Sequence, residues 1–188
     1  MLLLGVVVGD GPTPIDNWFL DLGRRLGAYR RLFLLFTDWW LMGPVLAGLI
    51  AVVLWRKQWW LAAAMTVCLP SAIAVVEVCK HIFGREKGDA LSYPSGHSTF
   101  VVVVMGLLVV VTGAALWAVL AALSVSVLGM FGQAVTYHYF TDTVGGALLA
   151  TGVVCLVALV AAADTVAAAE HRDTGRSSRI HLHLWPGR

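Results

Sequence analysis

Charged residues are scarce in this chain of 188 residues. They make up 13% of the sequence, whereas soluble domains carry about 25%, and hydrophobic residues reach 59%. With a mean hydropathy of +0.82, the chain has little room for a separate soluble domain and is expected to lie in a membrane. Its net charge is only +2, and no basic run is interleaved with aromatic residues, so a nucleic-acid groove is not expected.

Cysteine is also rare. The three cysteines, Cys68, Cys79 and Cys155, all lie in apolar runs, and no CxxC spacing occurs. An odd count without paired spacing argues against a disulfide framework and against a cysteine-bound metal cluster. They are expected to be small core or lipid-facing residues.

The apolar runs predict an all-α, multi-pass transmembrane helix bundle, since about 20 apolar residues span a bilayer. About five spans are predicted, at residues 39–55, 59–79, 95–112, 114–136 and 142–163. Residues 1–163 would form this membrane domain, and residues 164–188 a polar C-terminal tail. Residues 1–8 are too short to span, and could be the end of an earlier helix or a short interfacial segment.

Residues 16–36 have apolar and aromatic residues at helical spacing, with arginines largely off that stripe. This pattern predicts an amphipathic helix lying in the bilayer interface. A helix packed against the rest of the protein is the alternative.

The longest polar interruption runs over residues 80–97. Three cations, Lys80, Arg85 and Lys87, precede a turn that leads into the next apolar run through Ser95 and its neighbours Gly96 and His97. A helix start with free N–H groups and nearby cations favours an anion such as phosphate. The alternative is an ordinary polar loop whose cations meet lipid head groups. Glu77, just before this stretch, is expected to form an ion pair with Lys80 or Arg85.

A second polar stretch, YHYFTDTVGG, occupies residues 137–146. His138 and Asp142 are four residues apart, so they share one helix face or its entry turn. An Asp that accepts a hydrogen bond from one imidazole nitrogen makes the other a better nucleophile. The order of spans puts His97 and His138 on the same side of the membrane, where one could attack phosphorus while the other protonates the leaving oxygen.

Two other interpretations of these residues remain. Polar residues at a helix end are often merely interfacial. His97, His138 and Asp142 could also form a site with two histidines and one carboxylate for a metal, although the surrounding cations would repel a metal ion.

The motifs PSGH at residues 94–97 and HYFTD at residues 138–142 resemble the second and third signature motifs of the type 2 phosphatidic acid phosphatase superfamily, with Lys80 leading the first. The resemblance implies an integral-membrane lipid phosphatase that needs no metal or other cofactor. It implies that His138 is the nucleophile and that Asp142 orients it, with His97 as the general acid. It also implies phosphate binding by Lys80, Ser95 and Gly96.

The chain departs from the family pattern in two motifs. Lys87-Gly88 stands where the first motif has Arg-Pro, which leaves Arg85 as the residue that could supply a bidentate fork. Phe131-Gly132 stands where the third motif has Ser-Arg, and the nearest polar substitutes are Gln133 and Thr136. The loss of that arginine predicts a weaker site or an unusual substrate.

The expected activity is hydrolysis of a phosphomonoester or pyrophosphate of a bilayer-embedded lipid through a phosphohistidine. A polyprenyl phosphate, a polyprenyl diphosphate or a prenyl-linked sugar phosphate is favoured, with phosphatidic acid or phosphatidylglycerol phosphate as the alternative. A non-catalytic phospholipid-binding protein is a further alternative, and a vanadate-dependent oxidase a remote one. The expected location is the cell membrane, with the site on the extracytoplasmic face because basic residues weakly favour the other side as cytoplasmic. The expected partners are the lipid substrate and the bilayer, and the oligomeric state is left open.

Overall fold

A computed structural model describes the backbone of residues 1–183 and the side chains of residues 1–163. The helices are α1 (Leu2–Val8), α2 (Pro14–Leu26), a 3₁₀ segment (Gly27–Thr37), α3 (Trp39–Trp55), α4 (Trp59–Phe83), α5 (Gly96–Val111), α6 (Leu116–Ala134) and α7 (Phe140–His183). A short antiparallel hairpin of β1 (Glu86–Lys87) and β2 (Ala90–Leu91) lies between α4 and α5. The side chains of the predicted polar tail, residues 164–188, lie outside the described part.

The predicted all-α multi-pass bundle is confirmed. Among the described residues, four segments are long and apolar enough to cross a membrane: Pro14–Trp55, Trp59–Phe83, Leu116–Ala134 and Phe140–Ala163. The remaining predicted span, residues 95–112, corresponds to α5, which has 16 residues, fewer than the roughly 20 that span a bilayer unaided.

Helix α5 lies at the centre of the bundle. It contacts α3, α4, α6 and α7, and Val101, Val103, Val104 and Leu107 on it are fully buried. A helix that is apolar on all sides is typical of such an enclosed position. The centre of the bundle is therefore apolar, and polar groups gather near the helix ends.

The segment predicted as one helix over residues 16–36 differs in detail from that expectation. Gly27, with φ of 53°, ends α2, and the chain continues as the 3₁₀ segment because glycine accepts this left-handed conformation. Phe33 on this stripe packs edge-on against Phe131 of α6 with ring centroids 4.9 Å apart. Part of the apolar stripe thus packs on protein, as the alternative interpretation required.

The two polar stretches meet at one end of the bundle. The backbone N–H of Ser95, just before α5, donates to the carbonyl of Asp142 in α7 over 3.0 Å. The hairpin lies at the same end, since Lys87 contacts the backbone of His138. At the other end, Arg56 donates to the carbonyl of Val111. The chain order of the spans is thus sufficient to bring residues 80–97 and 137–142 together.

Candidate active site

A cavity of about 630 Å³ opens where the two polar stretches meet. One wall is apolar and comes from α3, α4 and α5 through Trp39, Leu69, Ile73 and Phe100. The polar lining comes from Glu77, Lys80, Lys87, His97 and His138. The cavity therefore combines cations and imidazoles with a surface suited to a lipid chain.

His138 has a defined tautomer in this cavity. Its Nδ1 lies 3.1 Å from the carbonyl oxygen of Ser92, and a carbonyl can only accept, so Nδ1 donates. In the neutral ring the other nitrogen, Nε2, then carries the lone pair. The side chain is 13% exposed, which leaves the imidazole partly accessible from the cavity.

Asp142 assists His138 differently from the sequence-based prediction. Its Oδ2 lies 3.8 Å from Nδ1 of His138, too far for a hydrogen bond, and accepts instead from the backbone N–H of Tyr139 at 3.0 Å. Ser92 therefore orients the ring, while the carboxylate of Asp142 supplies a nearby negative charge. Asp142 is fully buried and does not line the cavity, so the three residues of the alternative metal site do not converge.

Arg85 lies away from the position expected of a phosphate ligand. Its side chain is 1% exposed and donates to Asp142 over 2.7 Å and to Asp16 over 2.8 Å. It also donates to the hydroxyl of Thr141 and lies 4.5 Å from the ring centroid of Tyr139. We call Asp16, Arg85, Thr141 and Asp142 the buried ion cluster, and none of the four lines the cavity.

Asp16 was not singled out from the sequence. It is fully buried and accepts from the backbone N–H of Thr141 over 2.9 Å as well as from Arg85. It also closes a capping box with Thr13 at the start of α2. The Thr-x-x-Asp pattern of residues 13–16 could have located this helix start, but not the partners Arg85 and Thr141, which are distant in the sequence.

Lys87 faces the cavity from the hairpin. Its Nζ donates to the carbonyl of His138 over 2.7 Å and lies 5.0 Å from the ring centroid of Tyr139. Burial lowers the pKa of Lys87 to about 8, against the attraction of Asp142 and Asp16, and Arg85 adds repulsion. Lys87 is thus a cation next to the candidate nucleophile.

Lys80 is the second cation of the cavity. Its Nζ contacts Oε1 of Glu77 at 2.8 Å, one helical turn earlier on α4. This pair confirms the ion pair expected for Glu77. The Lys80 side chain is 18% exposed and that of Glu77 54%, so the pair is partly solvated and contributes little to stability.

In the Pro-Ser-Gly-His turn, Ser95 caps a helix, whereas Gly96 and His97 face the cavity. Ser95 is fully buried, and its hydroxyl accepts from the backbone N–H of Ser98, capping α5. Gly96 and His97 line the cavity, whereas Ser95 does not. The rings of His97 and His138 are 6.3 Å apart between centroids, and both line this cavity.

Packing leaves no space for a side chain at Gly132, the position where the motif that the chain resembles has arginine. A Cβ at Gly132 would lie 2.7 Å from the backbone carbonyl carbon of Phe33, so no side chain fits there while the 3₁₀ segment keeps its place. Gln133 beside it is 2% exposed and donates to the hydroxyl of Thr37 over 2.8 Å. Close contact between α6 and the 3₁₀ segment explains the glycine.

No family model, no curated protein and no solved structure matches this chain. The chemistry of the site therefore rests on its own geometry.

Proposed function

We propose that this protein is a metal-independent membrane lipid phosphatase that acts through a phosphohistidine on His138. The observation that carries the proposal is the hydrogen bond from Nδ1 of His138 to the Ser92 carbonyl, because it directs the Nε2 lone pair to act as a nucleophile. Lys87 and His97 beside it supply a cation and a proton donor.

In the first step, Nε2 of His138 bonds to phosphorus as the bond from phosphorus to the leaving oxygen breaks. His97, in its protonated form, gives a proton to that oxygen. The positive charge that develops on the His138 ring is stabilised by the Ser92 carbonyl and by Asp142 at 3.8 Å. The buried ion cluster has two carboxylates against one guanidinium, so it retains negative charge for this purpose.

In the second step, water attacks the phosphohistidine and the bond between nitrogen and phosphorus breaks. His97, now neutral, takes a proton from the water and returns to its starting form, and inorganic phosphate leaves. Lys80 and Lys87 balance the phosphoryl charge in both steps. Gly96, at the start of α5, adds the positive end of the helix dipole.

The apolar wall supports a substrate that keeps its chain in the bilayer. Trp39, Leu69 and Phe100 line the same cavity as the histidines, so a lipid tail can lie along them while the phosphate reaches His138. A polyprenyl phosphate, a polyprenyl diphosphate or a prenyl-linked sugar phosphate is the favoured class, and phosphatidic acid or phosphatidylglycerol phosphate is the alternative. We place the site on the extracytoplasmic face of the cell membrane.

The test is phosphate release by the detergent-solubilised full chain from each of these lipids, with a chelator present. Wild type is compared with His138→Ala, and His81→Ala is the matched control, since the exposed ring of His81 bonds the carbonyl of Glu77 in its own helix and does not line the cavity. Release from one lipid class that is lost only in His138→Ala supports the proposal. Equal release by His138→Ala would contradict it.

A non-catalytic lipid-binding protein is the second candidate. Arg85 is committed to two buried carboxylates, so the cavity lacks an arginine to stabilise the charge of a transferring phosphoryl group. A folded protein that binds lipid phosphate without releasing inorganic phosphate would favour this second function.

A further inference from the structure

A second, smaller cavity of about 340 Å³ adjoins the first. The two share His97, Trp39, Phe100 and Tyr137 in their linings. His97 therefore lies between the two cavities. The oxygen that leaves phosphorus in the first cavity can receive a proton from His97 on the side of the smaller cavity. This position suits the leaving group of the proposed reaction.

The smaller cavity differs from the first in its chemistry. Within the described side chains, no lysine or arginine lines it, and its polar lining comes from Thr37, Asp38, His97, Gln133 and Tyr137. Asp38 caps α3 by accepting from the backbone N–H of Trp40 and keeps a carboxylate at the cavity. Such a lining lacks the lysines that attract phosphate in the first cavity and offers hydrogen-bond acceptors.

Gln133 is the lining residue that most strongly indicates a bound ligand. Its amide nitrogen donates to Thr37 over 2.8 Å, while its Oε1 is buried and makes no hydrogen bond within the described residues. A buried acceptor without a donor costs about 1–3 kcal/mol, and a hydroxyl group of a bound ligand would satisfy it. The aromatic side chains of Trp39 and Tyr137 line the same cavity.

We propose that the smaller cavity binds an uncharged, hydroxyl-rich group located between the phosphate and the lipid tail of the substrate. This inference rests on the proposed phosphatase function. It narrows the substrate to a lipid-linked polyol or sugar phosphate, whose hydroxyl groups donate to Gln133 and Asp38 while the phosphate lies between His97 and His138.

The test uses three probes with the same alkyl chain. They are octyl phosphate, octyl glucoside 6-phosphate, and N-octylaminoethyl phosphate, which carries an ammonium in place of the polyol. For the full chain in detergent, kcat/KM for phosphate release is expected to be highest for the glucoside. Because a site built to bind hydroxyls discriminates against a substrate that lacks them, we expect an advantage of about tenfold or more over octyl phosphate.

Variants connect this preference to the smaller cavity. Gln133→Met removes the acceptor and is expected to lower the ratio of kcat/KM between glucoside and octyl phosphate by about 3- to 10-fold. Gln58→Met, the same change between α3 and α4 at the other end of the bundle, is the matched control and should keep the ratio. If Gln133→Met does not fold, Asp38→Ala should lower the ratio, whereas Asp38→Asn, which keeps an acceptor oxygen, should largely retain it.

The outcomes separate the two proposals. Release from octyl phosphate with no preference for the glucoside overturns the polyol inference and leaves the phosphatase intact. Preference for the ammonium probe, lost in Asp38→Asn, also overturns it, in favour of a cationic group. Release from none of the probes or lipids, by folded protein, contradicts both proposals.

Discussion

Arg85 and Lys87 are two residues apart in one loop, yet the structure gives them opposite surroundings. Arg85 is 1% exposed and its guanidinium is held by Asp16 and Asp142. Lys87 points from the hairpin to the cavity, and its ammonium bonds one backbone carbonyl. A cation enclosed by carboxylates positions the protein's own groups, while a cation at a cavity remains available for a substrate phosphate.

The buried ion cluster and the cavity differ in the same way. The buried ion cluster joins α2, the loop before the hairpin, and α7 through side-chain contacts. In the cavity, Lys80 forms only a partly exposed pair with Glu77, and Lys87 bonds a backbone carbonyl. We therefore expect changes in the buried ion cluster to alter stability, and changes at the cavity to alter turnover.

In the cavity, the largest effect on turnover is expected from replacing His97, the proposed general acid. His97→Asn is expected to lower kcat for an alkyl phosphate by about 10²- to 10⁴-fold. Hydrolysis of p-nitrophenyl phosphate should fall much less, because its leaving group needs little protonation. Steady-state phosphate release from both substrates checks this, and an equal loss with the two would exclude proton donation by His97.

In the buried ion cluster, the largest effect on stability is expected from replacing Arg85, its single cation. Arg85→Met leaves two buried carboxylates without their partner, which is expected to cost about 3–5 kcal/mol of stability. Thermal unfolding of the purified protein in detergent measures the loss. Arg24→Met is a matched control, since Arg24 forms an exposed pair with Asp21; similar unfolding temperatures for both variants would show that the buried ion cluster is not a stabilising unit.

Replacing Lys87 tests the comparison between the cluster and the cavity further, because we expect this substitution to leave the fold intact. Lys87→Met removes a cation at the phosphate and is expected to lower kcat/KM by roughly 10- to 100-fold, the value of one charged hydrogen bond. Its unfolding temperature should stay close to that of wild type. A large loss of stability with unchanged turnover would reverse the roles assigned to Arg85 and Lys87.

The pH dependence gives a smaller effect with a definite direction. Burial lowers the pKa of Lys87 to about 8, so the ammonium is charged below this pH and neutral above it. The first step also needs protonated His97, so kcat/KM already declines at lower pH as His97 loses its proton. The loss of charge on Lys87 is expected to add a further fall as the pH rises through about 8, by roughly tenfold one unit higher. In Lys87→Arg the guanidinium keeps its charge, so the added fall near pH 8 should disappear while the earlier decline remains; a fall near pH 8 that persists would assign it to another group.

The smallest effect is expected at Glu77. Glu77→Gln frees Lys80 from a partly exposed ion pair worth at most about 1 kcal/mol. Turnover should change by no more than a few-fold, and a rise would indicate that Lys80 is recruited to the phosphate. Loss of all activity in this variant, with folded protein, would give Glu77 a role that the cavity geometry does not predict.

Much of the fold could be predicted from apolar run length. The bounds of α3 agree with the predicted span, and α4, α5, α6 and α7 each begin within two residues of prediction, because bilayer thickness and turn residues fix helix ends. The change at Gly27 to a 3₁₀ segment could not be foreseen, since an amphipathic stripe tolerates either helix type over so short a distance.

The candidate site was only partly foreseeable. Chain order is enough to place His97 near His138, but side-chain partners depend on three-dimensional packing. Arg85 looked like a phosphate ligand because nothing in the sequence connects it to Asp16, 69 residues earlier. Likewise, the Ser92 carbonyl that holds His138 is a backbone group, which residue identity does not reveal.

The most direct measurement of the central claim is acid-labile phosphate on His138. The full chain is mixed with phosphorus-labelled lipid phosphate, quenched in alkali within one turnover and digested, and the labelled peptide is sequenced. The account predicts label on His138 that is stable to base and lost in acid, and no label in His138→Ala. Phosphate release without any labelled histidine, or label on another residue, would contradict it.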